Sequence, residues 1–253
     1  MDNNEVSGLI ERVVQNADYL GNKKVRHAAE TLLRKAKRLE WHLLVLGETS
    51  SGKSALVNSL LQTPILPERS IPSTAVVSFI QTAESSIELA GIRHDGTIEK
   101  LDDAEFKEAC LGKSGFVATK ATVAGQCELP AGVVVVDSPG YNSCVTEHTE
   151  VLLEYLPFSD AIVLLVSYRR GITQADIQFL EIVRRSTPTG GSLPIVAAIN
   201  FCPADQGDAR TKQMTNDLRR VLGNDLEVVL IPQAKGTPKR IDSKALWIVL
   251  RQE

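Results

Sequence analysis

The sequence predicts an α/β fold in which a mostly parallel central sheet is flanked by helices. Five short apolar segments recur along the chain, and segments with helical periodicity separate them. Segments that are apolar on both faces suit parallel strands that are covered by helices on either side. The predicted strands are 42–46, 133–136, 161–166, 195–199 and 227–231.

Helices and a separate ribbon account for most of the chain between these strands. Residues 74–100 alternate in polarity and contain the turn His94-Asp95-Gly96, which predicts an antiparallel ribbon inserted at one edge of the sheet. The connecting helices are predicted to begin near Lys53, Thr146, Thr173 and Ala204.

Both ends of the chain are predicted to be helical. Residues 5–40 carry apolar side chains at three- and four-residue steps, interrupted at Gly21-Asn22, and residues 241–250 form a third apolar helix. No such helix can bury its apolar stripe alone, so we expect them to pack together as a small bundle. The predicted units are N-terminal helices at 1–40, a main domain at 41–238, and at 239–253 a C-terminal helix that packs with the N-terminal helices.

Composition and charge exclude several classes of protein. Hydrophobic residues make up 43% of the 253 residues and charged residues 23%, which is ordinary for a folded α/β protein. A net charge of −3 gives no reason to propose a nucleic acid partner. We expect a cytoplasmic protein, because the start of the chain is unlike a signal peptide and no apolar run reaches the ~20 residues of a membrane span. Reduced cysteines without a CxxC pair fit this compartment: Cys110, Cys127, Cys144 and Cys202.

Two groups of basic residues allow more than one interpretation. One face of the second helical stretch could contact an anionic membrane, or it could be the solvated face of a packed helix. The segment Tyr168-Arg169-Arg170 could reach a nucleotide or a partner domain. Loop charges usually contact only solvent, and we expect this of the two arginines. The basic helix face comprises Lys23, Lys24, Arg26, Arg34, Lys35, Lys37 and Arg38.

The strongest functional motif is GETSSGKS at 47–54, which matches the pattern GxxxxGK(S/T). It follows a predicted strand and precedes a helical segment, which is the setting that the pattern requires. Its glycines allow the loop to wrap closely, so that successive backbone N–H groups point at phosphate oxygens. The positive end of the following helix adds to this attraction. We expect Lys53 to reach the β- and γ-phosphates and Ser54 to bind Mg²⁺.

A second motif, DSPG at 137–140, follows the apolar segment 133–136. A carboxylate at the end of a buried strand is costly without a cation partner, so Asp137 is predicted to hold Mg²⁺ through water. The N–H group of Gly140 can meet the γ-phosphate. A DxxG pattern alone is weak, but together with the GETSSGKS loop it predicts a site for a nucleoside triphosphate and magnesium.

On these motifs the sequence resembles the P-loop GTPase superfamily, and within it the dynamin-like GTPases, especially those of bacteria. The resemblance rests on GETSSGKS, on DSPG, and on Thr74 in the segment IPSTA at 71–75, which is similar to the PxTA pattern of bacterial dynamin relatives. It covers about residues 41–236 and implies a P-loop GTPase fold, GTP or GDP with Mg²⁺ as ligands, and hydrolysis of GTP. The resemblance also implies three metal-binding residues: Ser54, Thr74 and Asp137.

The motif that reads the guanine base departs from the family pattern (N/T)KxD. The sequence there is NFCPAD at 200–205, with phenylalanine in place of lysine and proline in place of aspartate. Asn200 is correctly placed at the end of a strand, and Asp205 could contact guanine only if the loop bulges by two residues. Ala234 and Lys235 resemble the fifth family motif, SAK. GTP is the favoured nucleotide, and ATP stays open.

The resemblance also implies how hydrolysis would be catalysed. Tyr141 follows DSPG where Ras-like enzymes carry a water-orienting glutamine, so that route is absent. Thr49 stands where dynamins carry a glutamine in the phosphate loop, and Ser50 matches a residue that helps to hold a monovalent cation. The expected catalytic residues are therefore Lys53, Ser50, Thr74 and Thr49. We expect slow hydrolysis by one domain and faster hydrolysis when two domains face each other across their nucleotides.

The family's outcome is self-assembly and membrane remodelling. The expected partners are a second copy of this chain and, through regions outside it, membrane lipid, which would add a peripheral location at a membrane. Three alternatives stay open: a nucleotide-gated scaffold with little hydrolysis, an Era- or septin-like GTPase, and an ATPase. The residues expected to contact the nucleotide are Gly47, Glu48, Ser51, Gly52, Lys53, Ser54, Ala55, Gly140, Asn200, Asp205, Ala234 and Lys235.

Overall fold

One mixed sheet organises the part of the chain that the computed structural model describes. Within that part nine strands are hydrogen-bonded in the order β4-β3-β5-β2-β6-β1-β7-β8-β9. Their bounds are β1 Trp41–Gly47, β2 Val77–Ala83, β3 Glu88–Ile92, β4 Ile98–Lys100, β5 Ala118–Ala124, β6 Val133–Asp137, β7 Ala161–Ser167, β8 Ile195–Cys202 and β9 Glu227–Pro232. The described residues are 3–22, 25–26, 29–30, 32–33, 37, 40–68, 76–83, 87–124, 132–141, 155–186, 193–203 and 208–232.

Five neighbouring strands of this sheet, β6, β1, β7, β8 and β9, are parallel. They coincide with the five apolar segments in the sequence, so the predicted strands are confirmed. These strands carry fully buried side chains on both faces of the sheet, such as Val45 in β1 on one face and Val136 in β6 on the other. This two-sided burial is the physical reason why these strands are apolar throughout.

The described helices are α1 Asn3–Tyr19, α2 Lys53–Leu61, α3 Asp103–Cys110, α4 Gln174–Ser186 and α5 Ala209–Leu222, with a short 3₁₀ turn at Leu156–Phe158. The predicted starts near Lys53 and Thr173 are confirmed. The predicted start near Ala204 is wrong, because Asp208 caps the helix by accepting a hydrogen bond of 2.8 Å from the N–H of Thr211. The predicted helix near Thr146 lies outside the described residues.

The antiparallel extension at the sheet edge is only partly as predicted. Strands β3 and β4 form the expected hairpin around Gly96. However, β2 pairs antiparallel with β6 and parallel with β5, and β5 separates β2 from β3. Neither β5 nor α3 was expected. The hairpin and α3 together form the crossover that a parallel neighbour of β2 requires.

Two apolar clusters cover the two faces of the sheet. One contains Val45 together with Leu56 of α2 and Phe106 of α3, and the other contains Leu44 together with Phe179 of α4. Successive residues of a strand point to opposite faces, so β1 contributes to both clusters. This packing fixes β1 at the centre of the sheet, and the loop that leaves its carboxyl end is held between two layers of helices.

The chain turns after α1 at Gly21, which adopts φ 64°. Arg26 pairs with Asp18 at 2.5 Å and Lys37 pairs with Glu11 at 2.6 Å, so these two members of the basic face contact acidic residues of α1. Within α1, Ala17 is buried and Ile10 and Val14 are half-buried, whereas Leu9 and Val13 are exposed. Residues 239–253 lie outside the described part, so their packing on these helices stays a prediction. Among the described helices, none is long and apolar enough to cross a membrane.

Candidate nucleotide-binding site

The candidate site lies where the carboxyl ends of parallel strands meet, which is the usual place for a ligand in an open α/β sheet. Strand β1 runs between β6 and β7, and the register pairs Val45 with Asp137 and Gly47 with Leu165. The sheet therefore brings the GETSSGKS loop, which leaves β1, beside the DSPG segment, which leaves β6. Lys53 and Asp137 are 84 positions apart in the sequence, and the pairing of β1 with β6 brings their segments close together in space.

The backbone of the loop requires glycine at both ends. A Cβ atom on Gly47 would lie 2.5 Å from the carbonyl oxygen of Leu165, and Gly52 adopts φ 98° as the N-cap of α2. No side chain caps this helix. The N–H groups of its first turn, at Lys53, Ser54 and Ala55, have no carbonyl four residues earlier within the helix. They are positioned to donate to an anion at the positive end of α2.

Lys53 is buried at the base of the loop. Its Nζ donates to the carbonyl oxygens of Gly47 and Glu48, each at 2.9 Å. Burial lowers the pKa of Lys53 to about 8, and the nearby charge of Asp137 opposes this shift. A lysine held in so dry a place favours an anionic ligand, because a phosphate would restore the stability of its charged form.

Ser54 and Asp137 form the second half of the site. The hydroxyl of Ser54 donates to Oδ2 of Asp137 at 2.8 Å, and both residues are buried. A hydroxyl and a carboxylate are the oxygen ligands that Mg²⁺ prefers, so these residues fit the predicted metal. The described residues contain no group of three or more His, Cys, Asp or Glu side chains suited to a metal ion. A Mg²⁺ ion bound by one or two side chains usually takes its other ligands from substrate phosphates and water.

The DSPG segment packs directly against the phosphate loop. The hydroxyl of Ser138 donates to the carbonyl oxygen of Val45 at 2.7 Å. A Cβ atom on Gly140 would lie 2.5 Å from Oγ1 and 2.6 Å from Cα of Thr49. Thr49 of the phosphate loop thus touches Gly140 of the DSPG segment, and only glycine at position 140 permits this approach.

The expected base-reading end is tied to the phosphate loop through Asn200. Its Nδ2 donates to the carbonyl oxygen of Ser51 at 2.9 Å, while its Oδ1 accepts from the N–H of Phe201 at 2.8 Å. Phe201 adopts φ 62°, and the guanidinium carbon of Arg169 lies 4.6 Å from the centre of its ring. The pairing of β8 with β9 shifts its register between Asn200 and Cys202, an irregularity at the position where the family motif is altered.

Arg169 and Arg170 are exposed, which agrees with the prediction of solvent-facing loop charges, but both also have partners within the protein. Arg169 lies over Phe201, and Arg170 forms ion pairs with Glu48 in the phosphate loop and with Asp176 of α4. No spacing rule could have assigned these partners, although two arginines directly after a central strand mark the correct edge of the sheet.

The structure brings together most of the residues that the sequence predicted. Some expected residues fall outside the described part of the chain and stay predictions: Thr74, Asp205, Ala234 and Lys235. The residues assembled at the edge formed by β1, β6 and β8 are Gly47, Glu48, Thr49, Ser50, Ser51, Gly52, Lys53, Ser54, Ala55, Asp137, Gly140 and Asn200.

Comparison with known proteins gives both a family and relatives. The family model described as the Dynamin family matches residues 43–196. An uncharacterized protein from the xynA 3′ region of Caldicellulosiruptor sp. is 25% identical over 180 residues, which cover 69% of this chain and 44% of that protein. Dynamin-like protein A of Bacillus subtilis is 27% identical over 175 residues, which cover 67% of this chain and 14% of that protein. This chain thus spans less than half the length of both relatives.

A solved structure shares the fold. Its description is of an oligomerised bacterial dynamin pair that provides a mechanism for the long-range sensing and tethering of membranes. The similarity has a TM-score of 0.66 at 16% identity and covers 91% of this chain and 37% of that one. At this identity it bears on the fold alone, and it confirms the predicted α/β architecture with a largely parallel sheet.

The contact between Gly140 and Thr49 yields a first prediction. We expect Gly140→Ala to lower the free energy of unfolding by about 1–3 kcal/mol, because the added methyl group overlaps backbone atoms that cannot easily move. Chemical denaturation measures this change. Gly8→Ala is the matched control, since nothing in the described part of the chain lies within 4 Å of a Cβ atom there and alanine favours a helix. Equal stability of Gly140→Ala and the wild type would show that the two loops do not touch.

The buried position of Lys53 yields a second prediction. Below a pH of about 8 the ammonium is already charged, but above it an anion must bind together with a proton. The Kd for GDP should therefore rise above about pH 8, by up to about tenfold per pH unit. Calorimetric titrations between about pH 7 and pH 9 measure it. Lys113→Met, at an exposed lysine, should keep this dependence and Lys53→Met should lose it. A wild-type Kd that is constant with pH would contradict the prediction.

Proposed function

We propose that this chain, which belongs to the dynamin family, binds GTP together with Mg²⁺ and hydrolyses it. The observation that carries the proposal is the pairing of a buried Lys53 with the Ser54–Asp137 contact at the carboxyl edge of the sheet. Family membership favours this function over the Era- or septin-like alternative. The activity of a whole protein of this type is part of the proposal, because the chain spans only part of its relatives.

The chain's own residues would act mainly by position and charge, which is what phosphoryl transfer requires. Lys53 would exchange the carbonyl oxygens of Gly47 and Glu48 for phosphate oxygens, and the amides at the start of α2 would donate to the same group. Ser54 and Asp137 would hold Mg²⁺, with Thr74 as a proposed third ligand. When bound, the metal neutralises charge that develops on the phosphate oxygens.

We propose that hydrolysis is slow in one domain and faster in a pair of domains. Tyr141 is buried, and its ring stacks on Phe179 at 4.0 Å between ring centres, so it cannot turn to orient water. Thr49 is too short to replace a glutamine, and it packs against Gly140. Either a second copy or a monovalent cation held by Ser50 would have to supply the missing stabilisation.

Guanine remains the proposed base. Asn200 lies beside the phosphate loop. Asp205 would supply a carboxylate that accepts hydrogen bonds from the N–H donors of guanine, which adenine lacks at these positions. The guanidinium of Arg169 places positive charge over Phe201, which stands where the family carries a lysine. We therefore propose Asn200 as the first residue of a base motif whose second residue differs in type from that of the family.

A nucleotide-gated scaffold is the second candidate, and the short side chain of Thr49 is the observation that favours it. In either case we propose nucleotide-dependent self-assembly and a peripheral location at a membrane, reached through regions outside this chain. The bacterial dynamin pair that shares this fold is described as oligomerised and as tethering membranes, which supports this proposal by analogy.

A test of the proposed activity follows from dimer-stimulated catalysis. Phosphate release from GTP, divided by protein concentration, should rise as the protein is concentrated and should disappear when EDTA removes Mg²⁺. Lys53→Ala should lose at least about a hundredfold in kcat/KM, because it removes charge directed at the phosphates. A rate per molecule that is high and independent of concentration would contradict dimer stimulation. Tight GTP binding without phosphate release would instead support the scaffold.

Base selectivity can be measured separately. GTP should displace a fluorescent GDP analogue at lower concentration than ATP, and Asp205→Ala should reduce this preference by about tenfold or more, because a hydrogen bond to a charged group is worth about 1.5–3 kcal/mol. Asp217→Ala, at a carboxylate that pairs with Arg220 on α5, is the matched control and should leave the preference unchanged. Equal displacement by ATP and GTP would indicate that the altered base motif has lost guanine selectivity.

A further inference from the structure

A single arginine connects the phosphate loop to the helix behind it. The Nη2 atom of Arg170 donates to both carboxylate oxygens of Asp176, at 2.9 and 2.7 Å, and its Nη1 atom forms an ion pair with Glu48. Glu48 is the second residue of the phosphate loop, and Asp176 lies in the first turn of α4. The planar guanidinium can bridge two carboxylates at once, which a lysine cannot do with the same geometry.

Asp176 is a fixed anchor for this bridge. It is 1% exposed, and its Oδ2 also accepts from the N–H and the hydroxyl of Thr173, each at 2.7 Å. A carboxylate at the start of a helix is further stabilised by the helix dipole. Because several donors are directed at its carboxylate, Asp176 has little freedom to move. It therefore holds the guanidinium of Arg170 in one orientation.

Asp176 also holds the segment that leaves β6. The hydroxyl of Tyr141 hydrogen-bonds to Asp176, and burial together with this negative neighbour raises the pKa of Tyr141 well above its ordinary value. Tyr141 directly follows Gly140, which touches Thr49. The contacts therefore close a ring that runs from Glu48 through Arg170, Asp176 and Tyr141, and returns to the phosphate loop through the Gly140–Thr49 contact.

Stability alone does not explain the bridge from Arg170 to Glu48. The side chain of Arg170 is 35% exposed, and partly exposed ion pairs contribute little to the free energy of unfolding. The geometry, in contrast, is specific, because Arg170 connects the phosphate loop, through Asp176 and Tyr141, to the DSPG segment that the proposed function places on the other side of a terminal phosphate. Small displacements of such groups are costly for a reaction that depends on position.

We propose that Arg170 is a positioning residue for phosphoryl transfer, a role that rests on the proposed function. This role is exerted through Glu48 and Asp176 and not through the reacting atoms. By holding Glu48 against the Asp176–Tyr141 pair, it keeps Thr49 and Gly140 in register, so that both loops face the same phosphate. Binding of the diphosphate part needs only the phosphate loop and α2, so the bridge matters for turnover more than for nucleotide affinity.

Substitution of Arg170 tests whether the residue affects turnover more than nucleotide affinity. In Arg170→Ala we expect kcat for GTP to fall by about tenfold or more, while the Kd for GDP changes by less than about threefold. Arg170→Lys should restore only part of kcat, because an ammonium cannot span both carboxylates. Arg185→Ala, at an exposed arginine of the same helix α4, is the matched control and should retain the wild-type kcat.

A double-mutant cycle tests the ring itself. Glu48→Gln weakens one end of it, and Tyr141→Phe removes the hydroxyl at the other, although these two side chains are joined only through Arg170 and Asp176. Their effects on kcat should be non-additive, with the double variant losing several-fold less than the product of the single losses. Additive effects would overturn the proposal.

The outcomes separate this inference from the proposed function. A wild-type protein that releases no phosphate from GTP would contradict the function itself. An active wild type whose Arg170→Ala variant keeps kcat within about twofold would overturn only the role of Arg170. A variant that loses GDP affinity and thermal stability in the same proportion as kcat would also overturn it, since Arg170 would then be a general structural residue.

Discussion

The constraint on which the site depends is the burial of one charged lysine. Lys53 lies at the base of the loop after β1, where its ammonium is held by the carbonyl oxygens of Gly47 and Glu48 and is close to Asp137. Neutral carbonyl oxygens compensate only part of the lost hydration, which is why burial lowers its pKa. A negatively charged ligand would compensate for the rest. The loop therefore holds a cation whose charged form is most stable when a phosphate is present.

The sheet supplies the geometry that makes this possible. Because β1 is central and parallel to both neighbours, the segments that leave β1 and β6 emerge at the same edge. Apolar packing on both faces of β1 fixes the strand, and the close approaches at Gly47 and Gly140 fix the loops. The position of the buried Asp137 beside Ser54 is thus a consequence of strand register and of two residues without side chains.

The sequence could predict those parts of the molecule that local chemistry determines. The apolar strands follow from residue types at fixed spacing and are present in the structure, which also brings the segments of Lys53 and Asp137 to the same edge of the sheet. Strand β5 could not be found in this way, because its alternating residues become a strand only through pairing with β2 and β3. The partners of Arg170 were equally hidden, since Glu48 is far away in sequence. The cap at Asp208 was a local signal that could have been recognised.

Two consecutive arginines after β7 contact two different parts of the candidate site, the expected base-reading end and the phosphate loop. After β7 the chain turns, and the side chain of Arg169 lies over Phe201 near the expected base, while that of Arg170 reaches Glu48 behind the phosphate loop. Phe201 and Glu48 are distant from the arginines in sequence, and both arginines belong to the same turn between β7 and α4. A shift of this turn would therefore act on the base end and on the phosphate end together. Under the proposed function, a movement at one loop would be passed to the others through these contacts rather than through the ligand alone.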